Sequence, residues 1–118
     1  MSALRIRVGL AALAASLLVG HGAVAADAAR GKILFTQKYG RYECHGTEGQ
    51  GSATTGPKLA PNPIPYEALS SFIRTSSRNM PPFREQILPE ADLQDIYAYL
   101  QSIKPGPDWK SIPLLAND

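Results

Sequence analysis

The chain has few side chains that can bind a metal or form a cross-link. Its 118 residues include one cysteine, two histidines and two methionines. A single cysteine cannot form an internal disulfide, which excludes the disulfide framework that stabilises many small exported domains. A zinc site needs three or four ligands, and this composition offers few of them. Each thiol, imidazole and thioether that is present is therefore informative.

Long apolar runs are confined to the N-terminus. Arg5 and Arg7 precede an apolar segment at 8–20, and an Ala-Val-Ala site ending at Ala25 follows it. A basic start, an apolar centre and a small-residue site together predict a secretory signal peptide over residues 1–25. The apolar segment is shorter than the roughly 20 residues that span a bilayer. We therefore expect the cleaved chain to be exported to a bacterial periplasm, without stable membrane insertion.

Residues 26–118 carry no excess of positive or of negative charge. Ten Lys and Arg residues balance ten Asp and Glu residues there, and no basic stripe indicates nucleic-acid binding. The length predicts one small domain, which we place at 26–105 with a C-terminal tail at 106–118. A domain of this size buries only a modest share of its surface. An embedded prosthetic group would supply the missing part of its core.

The apolar pattern predicts three helices and no strand, which places the chain in the all-α class. The first helix covers 26–39 with Asp27 as its N-terminal cap, and the second covers 66–75. The clearest helix covers 90–103, where apolar residues recur at spacings of three and four opposite a polar face. The apolar residues are Leu93, Ile96, Tyr97, Leu100 and Ile103, and the polar ones are Asp92, Gln94 and Asp95. Eight Gly and Pro residues within 44–65 predict a long loop, and such loops are usually functional.

Three side chains beyond the signal peptide are candidate ligands. Cys44 and His45 are adjacent in a Glu-Cys-His-Gly segment, and Met80 lies in Asn-Met-Pro-Pro-Phe. A thiol, an imidazole and a thioether are the groups that anchor a covalently attached haem and bind its iron. The usual attachment pattern, Cys-x-x-Cys-His, would have a second cysteine at position 41, where this chain has Arg41. Haem attachment is then expected to be single, through Cys44.

In their order and spacing these features resemble the class I c-type cytochromes, small soluble proteins with one haem. The matching residues are Gly31 and Phe35 in the first helix, Cys44-His45-Gly46, the loop 56–61, Met80-Pro81 and the last helix at 92–100. The resemblance implies three to four helices joined by long Gly/Pro loops around one haem. It also implies that the N- and C-terminal helices cross, at a glycine like Gly31 that allows close approach.

The same resemblance implies the roles of the candidate ligands. Cys44 would form a thioether to one haem c, His45 would be the proximal iron ligand and Met80 the distal one. With both axial positions filled, the iron offers no open site to a substrate, so the expected function is outer-sphere electron transfer and not enzymatic catalysis. Expected redox partners are a periplasmic dehydrogenase or a terminal oxidase.

Two arginines carry further expectations. Arg41 places a guanidinium where the family has a sulfur against an apolar vinyl group. Burying that charge unpaired is costly, so we expect the Arg41 side chain to point outward or to pair with Glu43 or a haem propionate. Arg74 and Glu67, seven residues apart on the second helix, are expected to form a solvated face.

Two other functions are compatible with this pattern. One is a degenerate cytochrome c-like helical binding module that no longer holds haem covalently. The other is a thiol enzyme or a metal site built on Cys44 and His45. A thiol enzyme usually takes its base from elsewhere in the fold, and no second histidine lies beyond residue 25, which argues against that reading.

Overall fold

The computed structural model describes residues 24–116 and shows a helical protein. Its helices are α1 (Ala28–Ile33), α2 (Tyr42–His45), α3 (Tyr66–Thr75) and α4 (Glu90–Ser102), with a π-helical segment at Leu34–Lys38 and a 3-10 helix at Trp109–Ser111. This part of the chain contains no strand, which confirms the all-α class. The predicted signal peptide, 1–25, lies outside the described residues except for its last two positions.

The first predicted helix consists of two kinds of turn. The Asp27 carboxylate caps α1, accepting hydrogen bonds at 2.8 and 3.1 Å from the backbone N–H groups two and three residues further on. At the other end, the N–H of Tyr39 donates to the carbonyl of Leu34 at 2.9 Å, five residues back, which widens the last turn. The helical segment therefore ends at Lys38, one residue short of the predicted end.

Helices α1 and α4 cross, in agreement with the expected crossing of the N- and C-terminal helices. Gly31 is buried at the crossing and faces the backbone of Asp95. The largest fully buried side chains of the hydrophobic core are Phe35, Leu88, Leu93 and Leu100. Full burial of one such side chain is worth roughly 1.5–3 kcal/mol. This core fixes the position of α4, which forms one wall of the functional site.

Two residues of the polar face predicted for α4 are buried against α1. Asp92 and Asp95 are only 4% and 8% exposed. Arg30 of α1 forms ion pairs with both carboxylates, and Lys38 pairs with Asp92 at 2.8 Å. The two aspartates face α1 and not solvent, so charge complementarity adds to the apolar packing between the helices.

The loop between α2 and α3 is held in place by hydrogen bonds to other parts of the chain. The carbonyl of Gly49 accepts from the N–H groups of Leu59, at 2.7 Å, and Ala60, at 3.0 Å. The hydroxyl of Tyr99, on α4, donates to the carbonyl of Thr47 at 2.8 Å. These bonds make the Gly/Pro-rich loop a fixed wall beside α4.

Beyond α4 the chain is mostly irregular. The short 3-10 helix Trp109–Ser111 is the one regular element among residues 103–116, and the side chains of Trp109 and Leu114 are exposed. The division into a domain at 26–105 and a tail at 106–118 stays a prediction. Within residues 24–116, no helix combines the length and the apolar character that crossing a membrane requires.

Candidate functional site

A cavity of about 970 Å³ brings the three candidate ligands together. Cys44 and His45 enter it from α2, and Met80 enters it from the segment between α3 and α4. Much of the remaining lining is apolar and includes Phe35, Leu59, Leu69, Phe72, Leu93 and Ile96. Cofactor sites in proteins are typically about 300–1,000 Å³ and mainly apolar with a few placed polar groups. The cavity has the size and the chemistry of such a site.

His45 is buried and its ring is held in one orientation. Its Nδ1 lies 2.8 Å from the backbone carbonyl oxygen of Pro57, and the residue is 7% exposed. Because a carbonyl oxygen can only accept, Nδ1 carries the proton of the neutral ring. The lone pair of Nε2 is then available for a metal, and a carbonyl bonded to the other ring nitrogen makes the imidazole a better ligand.

Gly56 allows the loop to lie directly against the His45 ring. A Cβ at residue 56 would be 3.0 Å from the Cε1 and Nδ1 atoms of His45 and 2.8 Å from the carbonyl oxygen of Cys44. The hydroxyl of Thr55 donates to that same carbonyl at 2.7 Å. The loop before Pro57 therefore positions α2, and any side chain at residue 56 would displace it.

Cys44 is a free, exposed thiol one residue before His45 on α2. Both residues line the cavity, so a group attached to the Cys44 sulfur would lie beside the imidazole. No group of three or more His, Cys, Asp and Glu side chains that could hold a metal ion occurs between residues 24 and 116. The donor groups that the cavity offers are one imidazole, one thioether and the Cys44 thiol, which suit a covalently attached porphyrin iron, whereas a zinc site takes three or four ligands, usually from Cys, His, Asp and Glu.

The segment that carries Met80 is anchored on α3. The buried hydroxyl of Ser76 donates to the Met80 carbonyl at 2.7 Å. Three residues further on, the N–H of Phe83 donates to the carbonyl of Ile73 at 2.8 Å. The backbone is thus fixed on both sides of the two prolines that follow Met80.

Arg74 contributes to the same anchorage, and its predicted place on a solvated face is wrong. Its side chain is 16% exposed, and Nη1 donates to the carbonyls of Phe83, at 2.8 Å, and Leu88, at 2.6 Å. Nη2 pairs with the Glu90 carboxylate at 3.0 Å. Arg74 therefore joins α3, the Met80 segment and the start of α4. The sequence pattern did not predict this anchoring role, because the partners of Arg74 lie 9 to 16 residues away along the chain.

Arg41 neither points outward nor pairs with Glu43, and its expected alternative, pairing with a haem propionate, stays a prediction. The central carbon of its guanidinium lies 3.4 Å from the centroid of the Phe83 ring. Its Nη2 is buried and has no hydrogen-bond partner among the described residues, and it forms no ion pair with them. Burial lowers the pKa of the Arg41 guanidinium. The side chain thus lines the cavity on the side of Cys44.

Comparison with known proteins identifies the family of the chain. A family model described as cytochrome C oxidase, cbb3-type, subunit III matches residues 26–100. A curated relative, the cytochrome bc1 complex cytochrome c subunit of Corynebacterium diphtheriae, is 34% identical over 84 residues, which cover 70% of this chain and 29% of that protein. The chain thus spans less than a third of the length of this relative. No solved structure matches.

The chain belongs to the cytochrome c family that this model represents, and it is a c-type cytochrome. The name of the family and the name of the relative both refer to cytochromes c, whose cofactor is haem c. The structure adds which residues of this chain line the cavity where such a group would be held.

Proposed function

We propose that this member of the cytochrome c family is an exported electron carrier that holds one haem c, with His45 and Met80 as axial ligands and Cys44 as the single thioether donor. The observation that carries the proposal is the shared cavity of about 970 Å³, into which both axial donors enter from different segments. When bound, haem c supplies an iron that gains and loses one electron.

The residues of the chain act by holding their donor atoms in place. The Pro57 carbonyl keeps the proton of His45 on Nδ1 and leaves Nε2 free. Ser76 holds the Met80 backbone, so a thioether, which is a weak donor that favours ferrous iron, stays near the site. The apolar lining limits the entry of water, which preserves the effect of both donors.

The partners that this proposal implies are redox complexes on the outer side of the bacterial membrane. The matched family is named for a subunit of a cbb3-type oxidase, and the relative is named as a subunit of the bc1 complex. These names support transient contact with a terminal oxidase or with a complex that delivers electrons, and a periplasmic dehydrogenase is the other expected donor. The predicted signal peptide at 1–25 supports a periplasmic location.

The proposal is tested by producing the chain together with haem-attachment machinery and recording a reduced-minus-oxidised visible spectrum. In alkaline pyridine the α band should lie between the positions for no thioether and for two thioethers, because each saturated vinyl group shifts it. Cys44→Ala should abolish haem staining of the denatured polypeptide. Met80→Ala should keep that staining and lose the far-red band that sulfur bound to ferric iron gives.

Arg41→Cys is the matched control for attachment, because it restores the second cysteine of the usual pattern. It should move the pyridine band to the two-thioether position and raise haem retention. A colourless protein, both as the natural chain and as Arg41→Cys, would contradict the proposal. That result would favour the degenerate helical binding module.

A further inference from the structure

We propose that Arg41 and Phe83 form a noncovalent clasp, which holds the Met80 segment against the turn that carries Cys44 and His45. This inference rests on the proposed function, because the clasp affects iron ligation only if His45 and Met80 bind a haem. Arg41 stands in the sequence where the family pattern has its other cysteine, so the clasp assigns a function to the residue that departs from that pattern.

The contact connects the two segments that provide the axial donors. Arg41 directly precedes α2, and its guanidinium carbon lies 3.4 Å from the centroid of the Phe83 ring. Cation–π contacts are effective within about 6 Å of the centroid, so the stack is close. Phe83 lies three residues after Met80 on the segment between α3 and α4. The contact therefore joins the turn that carries Cys44 and His45 to the Met80 segment.

The backbone of Phe83 gives this side chain a fixed base. Its N–H donates to Ile73 at 2.8 Å, and its carbonyl accepts from Arg74 at 2.8 Å. These bonds hold the segment on α3, and the aromatic ring adds the connection to Arg41. The clasp thus joins the residue that precedes α2 to a segment that is held on α3.

The surroundings of Arg41 explain why the aromatic ring matters to it. Nη2 is buried without a hydrogen-bond partner among residues 24–116, and a buried cation without compensation is costly. The electron-rich face of Phe83 provides attraction that no nearby carboxylate supplies. A planar guanidinium stacks on such a face, whereas the ammonium of lysine is more strongly hydrated and does not stack.

The consequence for ligation follows from the weakness of a thioether bond to ferric iron. An added imidazole competes with Met80 for the iron, and its apparent affinity depends on how readily the Met80 segment moves away. Loss of the clasp makes that movement easier. Phe83→Leu, which keeps an apolar side chain but removes the ring, should tighten imidazole binding to the ferric holoprotein by about threefold to thirtyfold, the range expected of a partly buried cation–π contact.

A double-mutant cycle separates the clasp from independent effects of the two residues. Arg41→Gln and Phe83→Leu should each tighten imidazole binding, and the double variant should show little further change, because either single change already removes the contact. Arg84→Gln is the matched control, because it removes the same charge from an exposed residue next to Phe83. It should change the affinity by no more than about twofold.

The outcomes distinguish this inference from the proposed function. Additive effects, or no effect of Phe83→Leu on imidazole affinity, would overturn the clasp while the far-red sulfur–iron band still showed Met80 bound. A natural chain and an Arg41→Cys variant that both stay colourless would overturn the two proposals together.

A second background covers the case in which Phe83→Leu fails to retain haem. The combined variant Arg41→Cys/Phe83→Leu has a second thioether in place of the clasp. If it retains haem and binds imidazole like Arg41→Cys alone, the coupling between the two residues is supported. If it also loses haem, Phe83 acts on folding independently of Arg41, and the clasp is overturned.

Discussion

Gly31 lies against the backbone carbonyl of Asp95, and a Cβ at residue 31 would overlap that group. The two helices can approach this closely only because position 31 has no side chain. One turn earlier, the N–H of Asp27 donates to the Asp95 carboxylate at 2.7 Å. The backbone of α1 is therefore fixed to α4 through both the main chain and the side chain of Asp95.

Gly31→Ala should destabilise the protein, because the new methyl group meets backbone and not the movable end of a side chain. Overpacking in a core costs about 1–3 kcal/mol, and we expect the upper part of that range despite the higher helix propensity of alanine. Denaturant unfolding of the holoprotein, followed by far-UV circular dichroism, measures the change. Lys32→Ala, at the exposed neighbouring position of α1, should stay within about 0.5 kcal/mol of the natural chain. Equal stability of Gly31→Ala and Lys32→Ala would refute the prediction.

Asp92 is the centre of a charged cluster between α1 and α4. It accepts from Lys38 at 2.8 Å, from the hydroxyl of Tyr39 at 2.7 Å and from Arg30. Burial acts to raise the pKa of the Asp92 carboxyl, but the hydrogen bonds from Lys38, Tyr39 and Arg30 outweigh it and lower the pKa from 3.8 to about 2. Between pH 3.8 and about pH 2 the unfolded chain binds more protons than the folded one, so the free energy of unfolding decreases as the pH falls.

Asp92→Asn should lower the free energy of unfolding by about 2 kcal/mol at neutral pH. It should also make stability less dependent on pH between about 4 and 2, since the carboxylate that loses its charge there is absent. Denaturant titrations at several pH values test both effects. Glu67→Gln removes an exposed carboxylate of α3 and should leave the pH dependence in place. An unchanged acid slope in Asp92→Asn would contradict the assignment of that slope to Asp92.

The features that local pattern determines were predictable from the sequence. The last helix follows from apolar spacing and was placed within one residue of Glu90–Ser102. The close approach at Gly31 was expected from the resemblance, and the structure shows it. The sequence also pointed to Cys44, His45 and Met80, which the fold brings to one cavity, and their roles as ligands stay predictions.

The features that depend on distant partners were not predictable. Asp92 was placed on a polar face because periodicity describes one helix alone, and its partner Arg30 lies 62 residues away. Arg74 was assigned to solvent for the same reason. Arg41 was expected to point outward or to pair with a carboxylate, because its aromatic partner, Phe83, lies on another segment. In each case the partner that makes burial of a charge tolerable is supplied by the tertiary fold.

Gly56→Ala should impair the site with little effect on the rest of the fold. The added Cβ would press on the His45 ring at 3.0 Å and on the carbonyl of Cys44 at 2.8 Å, which shifts α2 and its hydrogen bond to Pro57. We expect less covalent haem per chain and a weaker far-red sulfur–iron band, measured by haem staining and visible spectroscopy.

Gly106→Ala is the matched control for this change, because a Cβ there has no atom within 4 Å. It should retain haem like the natural chain. If Gly56→Ala retained the same amount of haem with an unchanged spectrum, the loop would not position His45 as the structure indicates.

Arg74→Met should lower stability and loosen the segment that carries Met80. The methionine keeps most of the apolar length of the side chain, but the carbonyls of Phe83 and Leu88 lose their donor, and Leu88 is only 1% exposed. Leaving buried acceptors unpaired costs about 1–3 kcal/mol for each group. We expect a drop of that order in the free energy of unfolding, together with tighter binding of added imidazole by the ferric protein.

Arg84→Met, at an exposed residue with the same charge, should change neither quantity appreciably. If Arg74→Met lost stability without any change in imidazole affinity, its anchorage would serve the fold and not the ligation of Met80.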